Sequence, residues 1–206
     1  MEAHEIAEKI HEPEEAEAHA SPTHEGFRRV AAIYLGVVAM LLAIASLGGA
    51  EATKEMLNAN IHASDTYAFY QAKSIRQTVY QTSASELELL TGGGAAISPS
   101  DSAKAAELIK KYRDTATRYE SDPSTGEGKE QLMEKAHEWE HARDHAAAQL
   151  PNFEYGEALF QIAIVLGSVA IVAVSPWLLG LSGILAVFAV LLTINGYLLL
   201  VPLGAP

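Results

Sequence analysis

The chain has 206 residues, of which 49% are hydrophobic and 19% are charged, and its formal net charge is −12. The charges are unevenly distributed, because two stretches, 30–50 and 158–206, contain no Asp, Glu, Lys, Arg or His. About 20 consecutive apolar residues are enough to cross a bilayer. This distribution therefore excludes an ordinary water-soluble globular protein.

The overall composition also excludes several chemical functions. The chain contains no cysteine, which rules out disulfides, thiolate nucleophiles and cysteine-ligated metal centres. A sequence pI near 5.0 argues against a nucleic-acid partner, because phosphates require a cluster of basic side chains. We predict no cofactor.

Residues 1–27 form an acidic, His-rich N-terminal tail with eight acidic residues and one lysine. Large apolar side chains are scarce in this tail, so we expect it to be mobile or to form a short marginal helix. The first transmembrane helix is predicted over 28–50. A cleaved signal peptide is the alternative, but its apolar core is normally 7–15 residues long and its leader is basic.

Residues 51–155 are predicted to form an extramembrane domain of three helices. In the first helix, apolar or small residues recur at the spacing of one helical stripe: Leu57, Ile61, Ala68, Ala72, Ile75 and Val79. Consecutive glycines at 92–94 end this helix. Ser98, Pro99 and Asp101 are typical of a capped helix start. The third helix precedes Pro151 and Asn152, where we expect a kink.

The apolar C-terminal stretch is too long for one span. Ser175, Pro176 and Trp177 divide it, because proline removes a helical hydrogen bond and tryptophan favours the membrane interface. Transmembrane helices are therefore predicted over 156–175 and 178–200. The notable polar side chains in these spans are Gln161 and Asn195, which are explained by interhelical hydrogen bonds or by a transport pathway.

The basic residues near the ends of the spans predict the topology. Arg28 and Arg29 precede the first span, whereas Lys54 stands alone after it. By the positive-inside rule the N-terminus is cytoplasmic and the helical insert lies outside. The predicted location is the bacterial inner membrane, with a periplasmic insert.

One short segment matches a catalytic zinc motif. His137, Glu138 and His141 satisfy H-E-x-x-H, in which two histidines one turn apart bind zinc and the glutamate acts as a base. The segment lacks the downstream histidine of the longer motif and is rich in Glu, His and Ala. We therefore interpret it as a solvated helix face, and zinc hydrolysis remains a remote alternative.

A dense polar and aromatic cluster lies between residues 65 and 77. Its side chains share helix faces and form a candidate contact site for a partner: Tyr67, Phe69, Tyr70, Lys73, Arg76 and Gln77. We favour the structural interpretation of the same cluster, in which Lys73 and Arg76 pair with acids of neighbouring helices and the rings fill the bundle.

A resemblance to a known family rests on two segments, 63–77 and 153–166, and on the leader that ends in Phe27, Arg28 and Arg29. In these segments the chain resembles the bacterial membrane family catalogued as domain of unknown function 4337. The resemblance implies a multi-span inner-membrane protein and supplies no reaction or catalytic residues. The chain departs from the family pattern because no basic residue separates its last two spans.

The sequence thus predicts an all-α integral membrane protein with three transmembrane helices and a three-helix extramembrane insert. We expect a scaffold or accessory subunit that acts through helix–helix contacts, because stripes at mixed three and four spacing are suited to coiled-coil pairing. It is not expected to be an enzyme. Its predicted partners are the lipid bilayer and either further copies of itself or a membrane complex. The alternative is a homo-oligomeric channel or transporter-like assembly.

Overall fold

The computed structural model describes residues 22–93 and 98–203, and the side chains from residue 24 onward. Most of the predicted N-terminal tail lies outside these residues, as does Gly94. The described chain forms four helices and contains no strand: α1 (Pro22–Gly92), α2 (Pro99–Glu120), α3 (Lys129–Ala173) and α4 (Pro176–Leu198). The all-α prediction is therefore confirmed.

Three of the four helices are long and apolar enough to cross a membrane, namely α1, α3 and α4. The predicted division of the C-terminal stretch is also present, because α3 ends at Ala173 and α4 begins at Pro176. Val174 between them adopts a positive φ of 47°, a conformation that a β-branched residue rarely takes. The chain thus makes a sharp turn close to the predicted point.

Two of the predicted helices are continuous with predicted spans. The first span and the first helix of the insert form the single helix α1, and Gly48 does not interrupt it. Pro151 likewise lies inside α3, where it was expected to kink the chain. Proline cannot donate the helical hydrogen bond to the carbonyl four residues before it, that of Ala147. The helix nevertheless continues, and the side chain of Asn152 donates to the neighbouring carbonyl of Ala148 at 3.2 Å.

The start of α2 follows its sequence signature. Ser98 is the N-cap residue, and its hydroxyl oxygen accepts a hydrogen bond from the backbone N–H of Asp101 at 3.2 Å. Pro99 occupies the first turn, where the missing N–H costs nothing. The predicted cap is confirmed.

The chain divides into two compact units. The apolar unit consists of the described residues up to Ala52 and from Ala148 onward, and the polar unit is Thr53–Ala147. The core of the apolar unit consists of Val38, Ala45, Phe160, Ala163, Ala186 and Ala189. Alanine is frequent here because it allows helix backbones to approach closely.

One aromatic side chain fills the space between two glycines of the apolar unit. Phe153 on α3 is buried, and its ring packs edge-on against that of Tyr197 with 4.9 Å between centroids. A Cβ atom added at Gly48 would lie 2.5 Å from the Phe153 ring, and one added at Gly196 would lie 2.9 Å from it. These two glycines therefore leave the volume that the ring occupies.

A polar chain of hydrogen bonds also joins the three helices of the apolar unit. The hydroxyl of Tyr34 on α1 lies 2.9 Å from that of Ser182 on α4. Ser182 in turn donates to the carbonyl of Ala163 on α3 at 2.6 Å. Each hydroxyl hydrogen of this pair has an acceptor, which removes the cost of burying it.

The polar unit packs in an unexpected way. Its buried hydrophobic residues are mostly alanines, and Leu132 is the one large side chain among them in the described part. The predicted stripe of α1 exists, but Leu57, Ile61, Ile75 and Val79 are all exposed. The opposite face of α1 is turned inward, and it buries the polar residues Lys73 and Gln77.

Candidate functional site

The candidate contact cluster on α1 is divided between the interior and the surface of the polar unit. Lys73 and Gln77 are buried, Tyr67 and Tyr70 are half-buried, and Phe69 and Arg76 are exposed. The structure therefore uses part of this cluster for internal contacts. Its role in binding a partner stays a prediction.

Lys73 on α1 forms hydrogen bonds with the segment of chain that connects α2 to α3. Its ammonium group donates to both the backbone carbonyl and the carboxylate of Glu127, the latter at 3.2 Å. It also lies 4.8 Å from the ring centroid of Phe69 and 5.8 Å from that of Tyr119. With only 8% of the residue exposed, the charge is stabilised by this carboxylate and by the two aromatic faces.

Gln77 is the centre of a second network, which links all three helices of the polar unit. Its amide donates to the carbonyl of Ala116 at 3.1 Å and to the carboxylate of Glu120 at 2.7 Å. Lys129 donates to the Gln77 oxygen at 2.9 Å and to Glu120 at 3.0 Å. The hydrogen bond from Gln77, followed by that from Lys129, lowers the pKa of Glu120.

Aromatic side chains extend this interior. The ring of Tyr80 on α1 packs against those of Tyr112 and Tyr119 on α2, with centroids 5.5 and 5.8 Å apart. Lys129 lies 5.5 Å from the centroid of Tyr70. Polar pairs and tyrosines thus supply the cohesion that large aliphatic residues supply in an ordinary bundle.

Tyr67 lines an open groove between α1 and α3, with Glu140 and Arg143 on the α3 side and Ser64, Ala68 and Gln71 on the α1 side. Burial and a hydrogen bond to the Glu140 carboxylate raise the pKa of the Tyr67 phenol. A neutral phenol beside a carboxylate and a guanidinium offers hydrogen bonds to a polar ligand.

The outward face of α1 has a distinct pattern. Ten positions that alternate by four and three residues are all exposed and all uncharged, and we name them the outer seam: Leu57, Ile61, Ser64, Ala68, Gln71, Ile75, Thr78, Thr82, Ser85 and Leu89. The hydroxyls of Thr78 and Ser85 donate to carbonyls of their own helix at 3.0 Å. Because these hydroxyl hydrogens already have acceptors, the two side chains need no hydrogen-bond acceptor from a partner.

The H-E-x-x-H segment lies on α3. The imidazole of His137 is exposed, and its Nδ1 lies 3.0 Å from the carboxylate of Glu140. Among residues 22–93 and 98–203, no three side chains of the metal-binding types come together. Trp139, in the middle of the motif, stacks on His62 with 4.6 Å between centroids.

The two polar residues predicted inside the spans have separate partners. Asn195 donates to the side chain of Asn152 at 2.6 Å and to the carbonyl of Val201 at 2.7 Å. Gln161 is exposed and donates to Glu157, one turn away on α3, at 3.3 Å. Asn195 therefore forms an interhelical hydrogen bond from α4 to α3, one of the two explanations given for it from sequence. It also holds the segment after α4, which the sequence did not indicate.

The described chain is all-helical, three of its helices are apolar enough to cross a membrane, and it divides into an apolar and a polar unit. Residues 27–199 match the family described as a domain of unknown function, DUF4337, so the chain belongs to this family. Comparisons with curated proteins and with solved structures found no match. The family resemblance predicted from the sequence is confirmed.

Proposed function

We propose that this protein is a scaffold or accessory subunit of the bacterial inner membrane, which acts through helix–helix contacts of its polar unit and catalyses no reaction. The observation that carries this proposal is the exposure of large aliphatic side chains on α1. Ile61 is 58% exposed, Ile75 67% and Leu89 76%. Large aliphatic side chains that recur exposed along one face of a helix support a site of protein contact.

The internal packing of the polar unit supports the same function. Its inward positions on α1 follow a heptad spacing, with alternating steps of three and four residues: Ala59, Ala63, Thr66, Tyr70, Lys73, Gln77, Tyr80 and Ala84. Such spacing favours coiled-coil packing of long helices. The outer seam repeats this spacing on the opposite face, which favours a further helix as its partner.

The charge distribution supports a cytoplasmic N-terminus and a periplasmic polar unit, because Arg28 and Arg29 precede the apolar part of α1. We expect Ala103→Cys, at an exposed position of α2, to react with a membrane-impermeant maleimide when only the outer membrane of the host has been opened. Gly26→Cys should react only after lysis of the cells. The reverse labelling pattern would invert the proposed topology.

The mass of the assembly tests the proposed function. The full chain is extracted from membranes in mild detergent, and its protein mass is measured by light scattering and native mass spectrometry. We expect a mass above that of one 22.0 kDa chain, and the difference identifies either further copies or a foreign subunit. The double variant Ile61→Glu, Ile75→Glu should lower this mass, because carboxylates interrupt the apolar surface.

A matched variant controls for non-specific effects of charge. Leu90→Glu introduces a carboxylate at an equally exposed position of the same helix, outside the outer seam, and should leave the mass unchanged. A single chain in extracts of the unsubstituted protein, together with no cross-linked product in intact membranes, would contradict the proposal.

A further inference from the structure

The geometry points to a second copy of this chain as the partner of the outer seam, with the two α1 helices side by side and running in the same direction. This inference rests on the proposed function and identifies its partner. Two copies inserted into one membrane with the same topology present α1 in the same direction. A parallel contact around a two-fold axis therefore requires no change in either chain.

The outer seam is self-complementary in this alignment. Each position meets its own counterpart, so that Leu57, Ile61, Ile75 and Leu89 form apolar layers. The intervening positions are small, which allows the two backbones to approach closely: Ser64, Ala68, Thr78, Thr82 and Ser85. Gln71 is the one long polar side chain in the series, and pairing with its counterpart fixes the register, as a single buried amide does in coiled coils.

The residues beside the outer seam provide complementary hydrogen bonding in the same alignment. In a parallel pair of helices, the residue just before every second core position faces the residue five places further along the chain on the other helix. Asn60, before Ile61, and Gln81, before Thr82, occupy such positions. Asn60 then faces Asp65 of the other copy, and Gln81 faces Glu86. All four side chains are exposed, each pair joins an amide donor to a carboxylate, and no flanking pair of like charge is created.

The dimensions of the outer seam match a weak but specific interface. The 33 residues from Leu57 to Leu89 span about 50 Å at 1.5 Å per residue, on a helix about 10 Å wide. Pairing would cover about 500 Å² on each copy, or about 1,000 Å² in total, at the lower end of specific interfaces. Confinement in one membrane raises the effective concentration of the second copy and compensates for this modest area.

Cysteine cross-linking tests this contact directly, because the chain contains no cysteine of its own. Ala68→Cys and Thr82→Cys are made separately in the full chain, and isolated membranes are oxidised with copper phenanthroline. We expect each variant to form a disulfide-linked product of two chains. Ala106→Cys, exposed on α2, should give at least fivefold less product.

Adding Ile75→Lys to the Ala68→Cys variant should reduce its product at least fivefold, whereas adding Leu90→Lys should not. The fluorescence of Trp139, which stacks within the polar unit, verifies in purified protein with Trp177→Phe that the variants are folded. Cross-linking at Ala68 without cross-linking at Thr82 would overturn the parallel alignment. No cross-linking at either position would overturn the inference, and a mass above one chain in that case would leave the scaffold function standing with another contact or a foreign partner.

Discussion

Gly48→Ala is expected to destabilise the apolar unit by about 1–3 kcal/mol, the usual cost of overfilling a packed interior. The added Cβ would lie 2.5 Å from Cε1 of Phe153 and 2.8 Å from the hydroxyl of Tyr197. Because the ring of Phe153 is enclosed between α1 and α4, it cannot turn aside. The measurement is the fraction of folded protein in micelles that contain increasing amounts of sodium dodecyl sulfate.

Gly36→Ala is the matched control on the same helix, since nothing lies within 4 Å of its added Cβ. Alanine is favoured over glycine inside a helix by about 1 kcal/mol, so this variant should be unchanged or slightly more stable. Phe153→Leu removes the ring and should abolish most of the cost of Gly48→Ala when the two are combined. Equal effects of both glycine substitutions would contradict the proposed packing.

Gly128→Ala is expected to destabilise the polar unit to a similar extent, by about 1–3 kcal/mol. Its Cβ would lie 2.4 Å from the backbone nitrogen of Asp122, 2.8 Å from Cα of Ser121 and 2.2 Å from the amide oxygen of Gln131. The backbone atoms cannot move independently of the turn that joins α2 to α3. Displacing this turn would also displace Glu127, the partner of buried Lys73.

Unfolding of the polar unit can be followed by the emission of Trp139 in a Trp177→Phe background, since the chain contains only these two tryptophans. Gly92→Ala is the control, because its added Cβ meets nothing within 4 Å. Gln131→Ala should restore only part of the stability lost in Gly128→Ala, since the clash with Asp122 remains. Full restoration would show that the side-chain contact alone is responsible.

The predictions that succeeded from sequence depend on local physics. Uncharged stretches indicated the three apolar helices, and the residues from Ser98 to Asp101 indicated the start of α2. Each of these signals lies within one segment of chain. Hydropathy and capping are properties of neighbouring residues, so no knowledge of the tertiary structure was required.

The inward face of α1 in the polar unit could not be predicted in this way. Lys73 and Gln77 are buried because Glu127 and Glu120, 54 and 43 residues further along the chain, complete their hydrogen bonds. An apolar stripe normally marks the buried face of a helix, but here it marks the face that remains exposed. The structural interpretation of the cluster between residues 65 and 77, with its basic residues paired to acids, indicated part of this face.

The role of Gly48 also depends on distant residues. Taken locally, a glycine weakens a helix, because it has high backbone freedom. In the folded chain it leaves space for Phe153, more than 100 residues away, and the helix continues through it. Gly48 therefore allows the helices to pack around Phe153, although its backbone freedom alone would favour a break in α1.

The hydrogen-bond chain from Tyr34 through Ser182 to Ala163 has a consequence for biogenesis. Ser182 lies 148 residues after Tyr34 in the chain. During synthesis α1 therefore emerges long before Ser182, the acceptor of its phenol, has been made. Until α4 arrives, another group must satisfy that hydroxyl. Docking of the last helix is thus the step at which the first helix acquires its final partner, and a nascent chain that is stalled before Ser182 should still be open to insertion chaperones.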